Sequence, residues 1–126
     1  MYLDIYCVGL NYQIPEVKVP LSSIYDLFSG EEKVLKARSR DFYNLGIIIN
    51  PPEGTYCQIL PRNTMTSIGI DIAASLITHE DFYQGETKVL LINNRDHDIP
   101  IFIGDRIAQL LLVKMEQPII RTNLPA

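Results

Sequence analysis

An all-β fold, a barrel or jelly roll of short and mostly antiparallel strands, is what this sequence predicts, on three observations. Short runs rich in β-branched and aromatic residues recur along the chain, turn residues separate them, and no segment sustains a 3.6-residue apolar period. At 126 residues and 47% hydrophobic composition, the chain fits a single domain over 1–126 with a sizeable core.

The runs fall at residues 2–8, 17–20, 33–37, 46–49, 55–60, 69–72, 87–93, 99–103 and 108–115. Turn chemistry marks the breaks: Pro51-Pro52-Glu53-Gly54, Asn93-Asn94-Arg95-Asp96 and Gly104-Asp105. Many short strands at close spacing point to a sandwich or barrel. Helix is confined to a turn or two at 39–45 and at 63–67, the second capped by Asn63 or Thr64. Residues 119–126 form a tail that frays unless another subunit holds it.

Composition excludes several classes of function. The net charge is −4 and no cluster of Lys and Arg forms a phosphate footprint, which argues against specific nucleic-acid binding. Cys7 and Cys57 sit among apolar neighbours without Cys-x-x-Cys spacing, so they read as reduced core or half-buried thiols. His79 and His97 are isolated, which leaves zinc without a ligand set. No apolar stretch approaches the roughly 18 residues that span a bilayer, and no signal peptide precedes the first strand, so a soluble intracellular protein is expected.

Three ordered pieces carry more information than periodicity. Ser22-Ser23-Ile24-Tyr25-Asp26-Leu27-Phe28-Ser29 comes first. Ile47-Ile48-Ile49-Asn50-Pro51-Pro52-Glu53-Gly54-Thr55-Tyr56-Cys57-Gln58-Ile59-Leu60-Pro61-Arg62 follows. Gly104-Asp105-Arg106-Ile107-Ala108-Gln109-Leu110 is the third. Together, over about residues 20–118, they resemble the first, second and fourth motifs of the trimeric dUTPases, which split dUTP into dUMP and pyrophosphate with magnesium.

The resemblance implies a homotrimer whose active sites lie between subunits, with residues 117–122 docked on a neighbour. It places Asp26 beside the magnesium-bound triphosphate and Arg62 and Gln109 on the phosphate side. Where the family has Ser after Pro-Arg, this chain has Asn63, whose amide also donates hydrogen bonds. Magnesium is implied as cofactor wherever nucleotide binding is retained, with Asp26 as its protein ligand.

The third motif departs from the family pattern. The family reads roughly Gly-Ile-Asp-Val-Gly-Ala-Gly-Val-Ile-Asp, two residues, then Tyr-Arg-Gly, and its second Asp activates the attacking water. Here Gly69-Ile70-Asp71-Ile72-Ala73-Ala74-Ser75-Leu76-Ile77-Thr78 runs on to Tyr83-Gln84-Gly85 and is two residues longer. Counted forward, Thr78 stands at the aspartate; counted backward from Tyr83 and Gly85, Glu80 does. A threonine hydroxyl is no base at neutral pH, whereas Glu80 or Asp81 is one if it reaches the water. Ser75, Leu76, Ile77 and Thr78 would line the nucleoside pocket, with Tyr83 or Phe82 against the sugar.

The glycine-rich fifth motif, which closes over the nucleotide, has no counterpart in Ile120-Arg121-Thr122-Asn123-Leu124-Pro125-Ala126. The altered hairpin, water activator and arm together suggest a member that keeps the trimeric fold but has lost efficient hydrolysis. It would serve as a binding or interaction module for an unidentified protein, as some virus-encoded dUTPase-derived proteins do, with residues 76–83 as first candidate surface. The alternative is an active magnesium-dependent dUTP diphosphatase with a rearranged third motif.

Overall fold

The computed structural model describes residues 1–126, the side chain of Tyr83 excepted. Twelve strands carry the fold: β1 (Asp4–Cys7), β2 (Glu16–Val17), β3 (Ile24–Phe28), β4 (Lys33–Leu35), β5 (Arg40–Asn44), β6 (Ile47–Asn50), β7 (Thr55–Leu60), β8 (Ile70–Ile72), β9 (Ser75–Ile77), β10 (Lys88–Asn93), β11 (Ile99–Ile101) and β12 (Arg106–Lys114). One turn of helix, α1 (Asn63–Thr66), and a 3-10 helix at His79–Gln84 complete it. Every strand pairing is antiparallel. Among the described residues no helix is long and apolar enough to cross a membrane.

The strands make four sheets, of which the largest runs β2-β3-β12-β7-β9 and the next β5-β10-β8. Alternation explains how they close on one core. In β7, Thr55, Cys57 and Ile59 turn inward while Tyr56, Gln58 and Leu60 turn outward. In β10, Val89, Leu91 and Asn93 turn inward. The inner faces merge into one cluster that includes Leu27, Leu35, Tyr43, Ile49, Leu91 and Leu110, each almost fully buried. Burying each aliphatic side chain of this kind contributes about 2 kcal/mol.

Buried polar groups are tied down locally. Asn93 donates to the carbonyls of Leu35 and His97, both at 3.0 Å, and accepts from the Arg95 N–H at 2.9 Å. That pins the turn between β10 and β11. The N-terminal segment crosses the barrel where Gly46 adopts φ +75 and a Cβ would lie 2.3 Å from the Asn11 carbonyl oxygen. Only glycine fits there.

Three local expectations change. Residues 39–45 are not helical: Arg40–Asn44 is β5, paired with β10 from Lys88↔Asn44 to Ile92↔Arg40. Neither Asn63 nor Thr64 caps α1; Arg62 stands at that position without a side-chain cap. Cys7 is exposed rather than half-buried, because β1 shows most of its residues to solvent, whereas Cys57 is fully buried.

Candidate active site

The central strand β12 gathers one group of polar residues. Gln109 lies directly opposite Asp26 on β3 and opposite Leu60 on β7, so their side chains leave the same face of the sheet. Asp26 is 3% exposed and Gln109 8%, unusual burial for polar side chains on an outward face. Two guanidinium groups cover the carboxylate. Arg62 Nε lies 3.8 Å from Asp26 Oδ1, and Arg106 Nε lies 3.7 Å from Asp26 Oδ2. Arg62 also donates to the Arg106 carbonyl at 3.1 Å, which joins the end of β7 to the start of β12.

A β-bulge delivers Arg106. Regular pairing would set Ile107 opposite Phe28; instead Arg106 faces Phe28 and Ala108 faces Leu27. The extra residue flips the alternation, so Ile107 and Ala108 are both buried and Arg106 reaches the face of Asp26. Arg106 was not among the residues singled out from sequence, and only the register exposes its part. Glu16, opposite Asp26 on β2, lies 3.9 Å from Arg106 on its other side.

Asp26 Oδ1 is buried without a hydrogen-bond donor. Such an atom calls for a donor, a water or a cation. A lone carboxylate between two guanidinium groups suits a hard cation that arrives with anionic oxygens rather than a resident ion. Among the described residues no group of three or more His, Cys, Asp and Glu side chains could hold a metal by itself. The cluster therefore fits magnesium carried by a polyphosphate. Asn63, the first residue of α1, is exposed next to Arg62.

The third-motif segment sits at the far edge of the same sheet. Ser75, Leu76 and Ile77 form β9, which pairs only with β7, through Ile59↔Ser75, Gln58↔Leu76 and Cys57↔Ile77. Ser75 is partly buried, Leu76 is 59% exposed and Ile77 joins the core. Neither Ala73, Ala74 nor Ser75 has a positive φ, so the residues at the family's glycine positions sit in ordinary backbone. The span 76–83 is not one long hairpin: β9 ends at Ile77 and the 3-10 helix takes over at His79.

That helix sorts the two candidate carboxylates. Asp81 folds back so that Oδ2 accepts from the Thr78 N–H at 2.6 Å and from the Thr78 hydroxyl at 3.3 Å. This capping box returns the Asp81 carboxylate to Thr78. Asp81 lines a cavity of about 230 Å³ together with Ser75, Leu76 and Ile77. Glu80 faces the other way, into a wider cleft with Glu53, Thr55, His79 and Gln117. Its carboxyl, exposed to solvent, is held below the usual range, chiefly by the Thr78 hydroxyl. The side chain of Tyr83, expected at the sugar, lies outside the described residues.

The two halves are separate within one chain. From Asp26 on β3 to Ser75 on β9 the sheet makes three interstrand steps, roughly 14 Å.

Fold and geometry define an antiparallel β barrel with an anion-facing carboxylate–guanidinium cluster and a detached edge-strand cavity. The dUTPase family model matches residues 11–125. The deoxyuridine 5'-triphosphate nucleotidohydrolase of Yarrowia lipolytica is 37% identical over 103 residues, covering 79% of this chain and 64% of that protein. Its counterpart from Paramecium bursaria Chlorella virus 1 is 41% identical over 95 residues, covering 75% of this chain and 66% of that one. The chain thus belongs to the dUTPase family, and it spans just under two thirds of the length of these relatives.

Solved structures show the same fold. A mutant dUTPase from phage phi11 of S. aureus, described with a coordinated structural Mg(II) ion, superposes with a TM-score of 0.87 at 20% identity, covering 97% of this chain and 96% of that one. The dUTPase of Staphylococcus bacteriophage 80alpha, described among phage dUTPases that control transfer of virulence genes, gives 0.86 at 21%, covering 96% and 95%.

Proposed function

We propose that this protein is a homotrimeric dUTP diphosphatase in which Asp81 replaces the family's water-activating aspartate. The observation that carries the reading is the 2.6 Å hydrogen bond from the Thr78 N–H to Asp81 Oδ2, which puts a carboxylate beside the substituted position. Both bonds from Thr78 engage Oδ2, leaving Oδ1 to accept the proton of the attacking water. As the water oxygen bonds to the α-phosphorus, the bond to the bridging oxygen breaks and pyrophosphate leaves. Arg62, Arg106, Asn63 and Gln109 hold the phosphate oxygens. Asp26 would hold magnesium, which would supply charge neutralisation on the triphosphate.

Membership of the dUTPase family favours a site shared between subunits, with the Asp26 cluster and the β9 cavity of one chain roughly 14 Å apart across the sheet. Residues 119–126 fit the role of an exchanged tail: they form no helix or strand, and Ile119 and Ile120 are 97% and 83% exposed. A soluble intracellular protein without specific nucleic-acid affinity suits this chemistry.

A second reading keeps the fold and drops hydrolysis, making the protein an interaction module. Thr78 itself and the exposed Leu76 favour it. So does the regulatory description of the 80alpha dUTPase. Pyrophosphate release from dUTP with magnesium, measured against dCTP, dTTP and UTP, tests the pair. Turnover above about 1 per second with preference for dUTP supports the diphosphatase; bound dUTP without turnover supports the module.

A further inference from the structure

We infer that Phe42 is a base-stacking residue, forming with Lys88 the wall of the nucleoside cavity opposite β9. The inference rests on the nucleotide-binding reading above and adds a specificity residue to it. Phe42 belongs to β5, far in sequence from the third-motif segment, yet it lines the same cavity as Ser75, Leu76 and Asp81. It is 50% exposed while its strand neighbour Tyr43 is fully buried. Lys88 Nζ lies 4.9 Å from the Phe42 ring centroid.

Three chemistries therefore face one space. Lys88 lies over one face of the half-exposed Phe42 ring, and the opposite face is the one offered for stacking on a flat π system. The Lys88 ammonium shares the lining with the Asp81 and Glu86 carboxylates, which suits a neutral ligand with carbonyl oxygens and N–H groups. The third is the open edge of β9, whose outward backbone groups have no strand partner and which can read a hydrogen-bonding edge. The Phe42 backbone is fixed from two sides, its N–H donating to Asp41 Oδ1 at 2.8 Å and its carbonyl accepting from Lys33 Nζ at 2.5 Å. A ring held on a paired strand stacks with little loss of conformational entropy.

Volume narrows the ligand. About 230 Å³ lies below the roughly 300–1,000 Å³ that hosts a drug-sized molecule. A space of this size accommodates a pyrimidine base. Gly85 at the rim has φ +93 with open space around a hypothetical Cβ, so the mouth stays unobstructed.

The sequence contains no tryptophan, so Phe42→Trp installs a unique fluorophore at the proposed contact. Titration of this variant with dUMP should quench or shift its emission, while tripolyphosphate with magnesium should not. Phe42→Leu should raise the KM for dUTP about tenfold with little change in kcat, and Phe42→Tyr should restore it. Silent emission while the protein turns over dUTP or binds tripolyphosphate by calorimetry, with an unchanged KM in Phe42→Leu, overturns the stacking role alone. Failure of the unmodified protein to bind either dUMP or tripolyphosphate overturns this role and the nucleotide-binding reading together.

Discussion

At the scale of single residues, the proposed hydrolysis turns on Asp81, whose carboxylate accepts from the Thr78 N–H and hydroxyl. A tight 3-10 turn returns it to Thr78 from three positions on. Asp81→Asn should lower kcat about 10²- to 10⁴-fold, while Glu80→Gln should stay within about twofold, both measured by pyrophosphate release. Because Asp81 also caps the turn, its loss should cost about 1 kcal/mol; a urea titration of the same variant separates the two effects. The pattern Thr78-His79-Glu80-Asp81 is a readable capping signature. The side on which each carboxylate falls was not readable, because it depends on where β9 stops.

Two buried acids give a pH dependence. Burial pushes the Cys57 thiol up to about 12. Burial, helped by Asp41 and Glu31, pushes the Tyr43 phenol up to about 12 as well. Both groups are therefore neutral in the folded state at pH values where the unfolded chain has begun to ionise. The stability they contribute is intact below the unfolded values of about 9 and 10 and is lost as pH rises towards 12. Urea midpoints should stay flat through neutrality and fall above about pH 9. Exposed Cys7 should react with a thiol reagent well before Cys57 does.

At the scale of elements, legibility followed exposure. Residues 55–60 alternate cleanly, since β7 has one wet and one dry face, and the strand is plain in the sequence. Arg40–Asn44 hid because only Tyr43 turns inward, so no two-residue period survives. In β3 three consecutive residues, Asp26, Leu27 and Phe28, are buried, which masks alternation for the opposite reason. The crossing at Gly46 carries a direct test. Gly46→Ala must accept both a positive φ and a 2.3 Å approach to the Asn11 carbonyl. It should destabilise by about 3 kcal/mol, seen as a lower denaturation midpoint.

At the scale of the whole molecule, the polar cluster lies on β3 and the central β12 while the β9 cavity lies at one edge of the same sheet. The order of motifs points to the fold family but not to this division, because linear spacing says nothing of which strands become neighbours. Activity should therefore depend on assembly. Sedimentation at micromolar concentration should show a trimer, and truncation after Glu116 should shift it towards monomer and reduce turnover together. A fully active monomer would contradict the shared site.

The bulge in β12 carries a consequence for reading relatives of this chain. Removing Ile107 would abolish the bulge and leave Arg106 opposite Phe28, still on the face of Asp26, at the loss of one buried side chain. In an alignment that event appears as a single gap, harsher to the eye than a mismatch. Physically the harsher change would be to flatten the bulge with every letter kept, since Ile107 would then stand opposite Phe28 and Arg106 would turn inward.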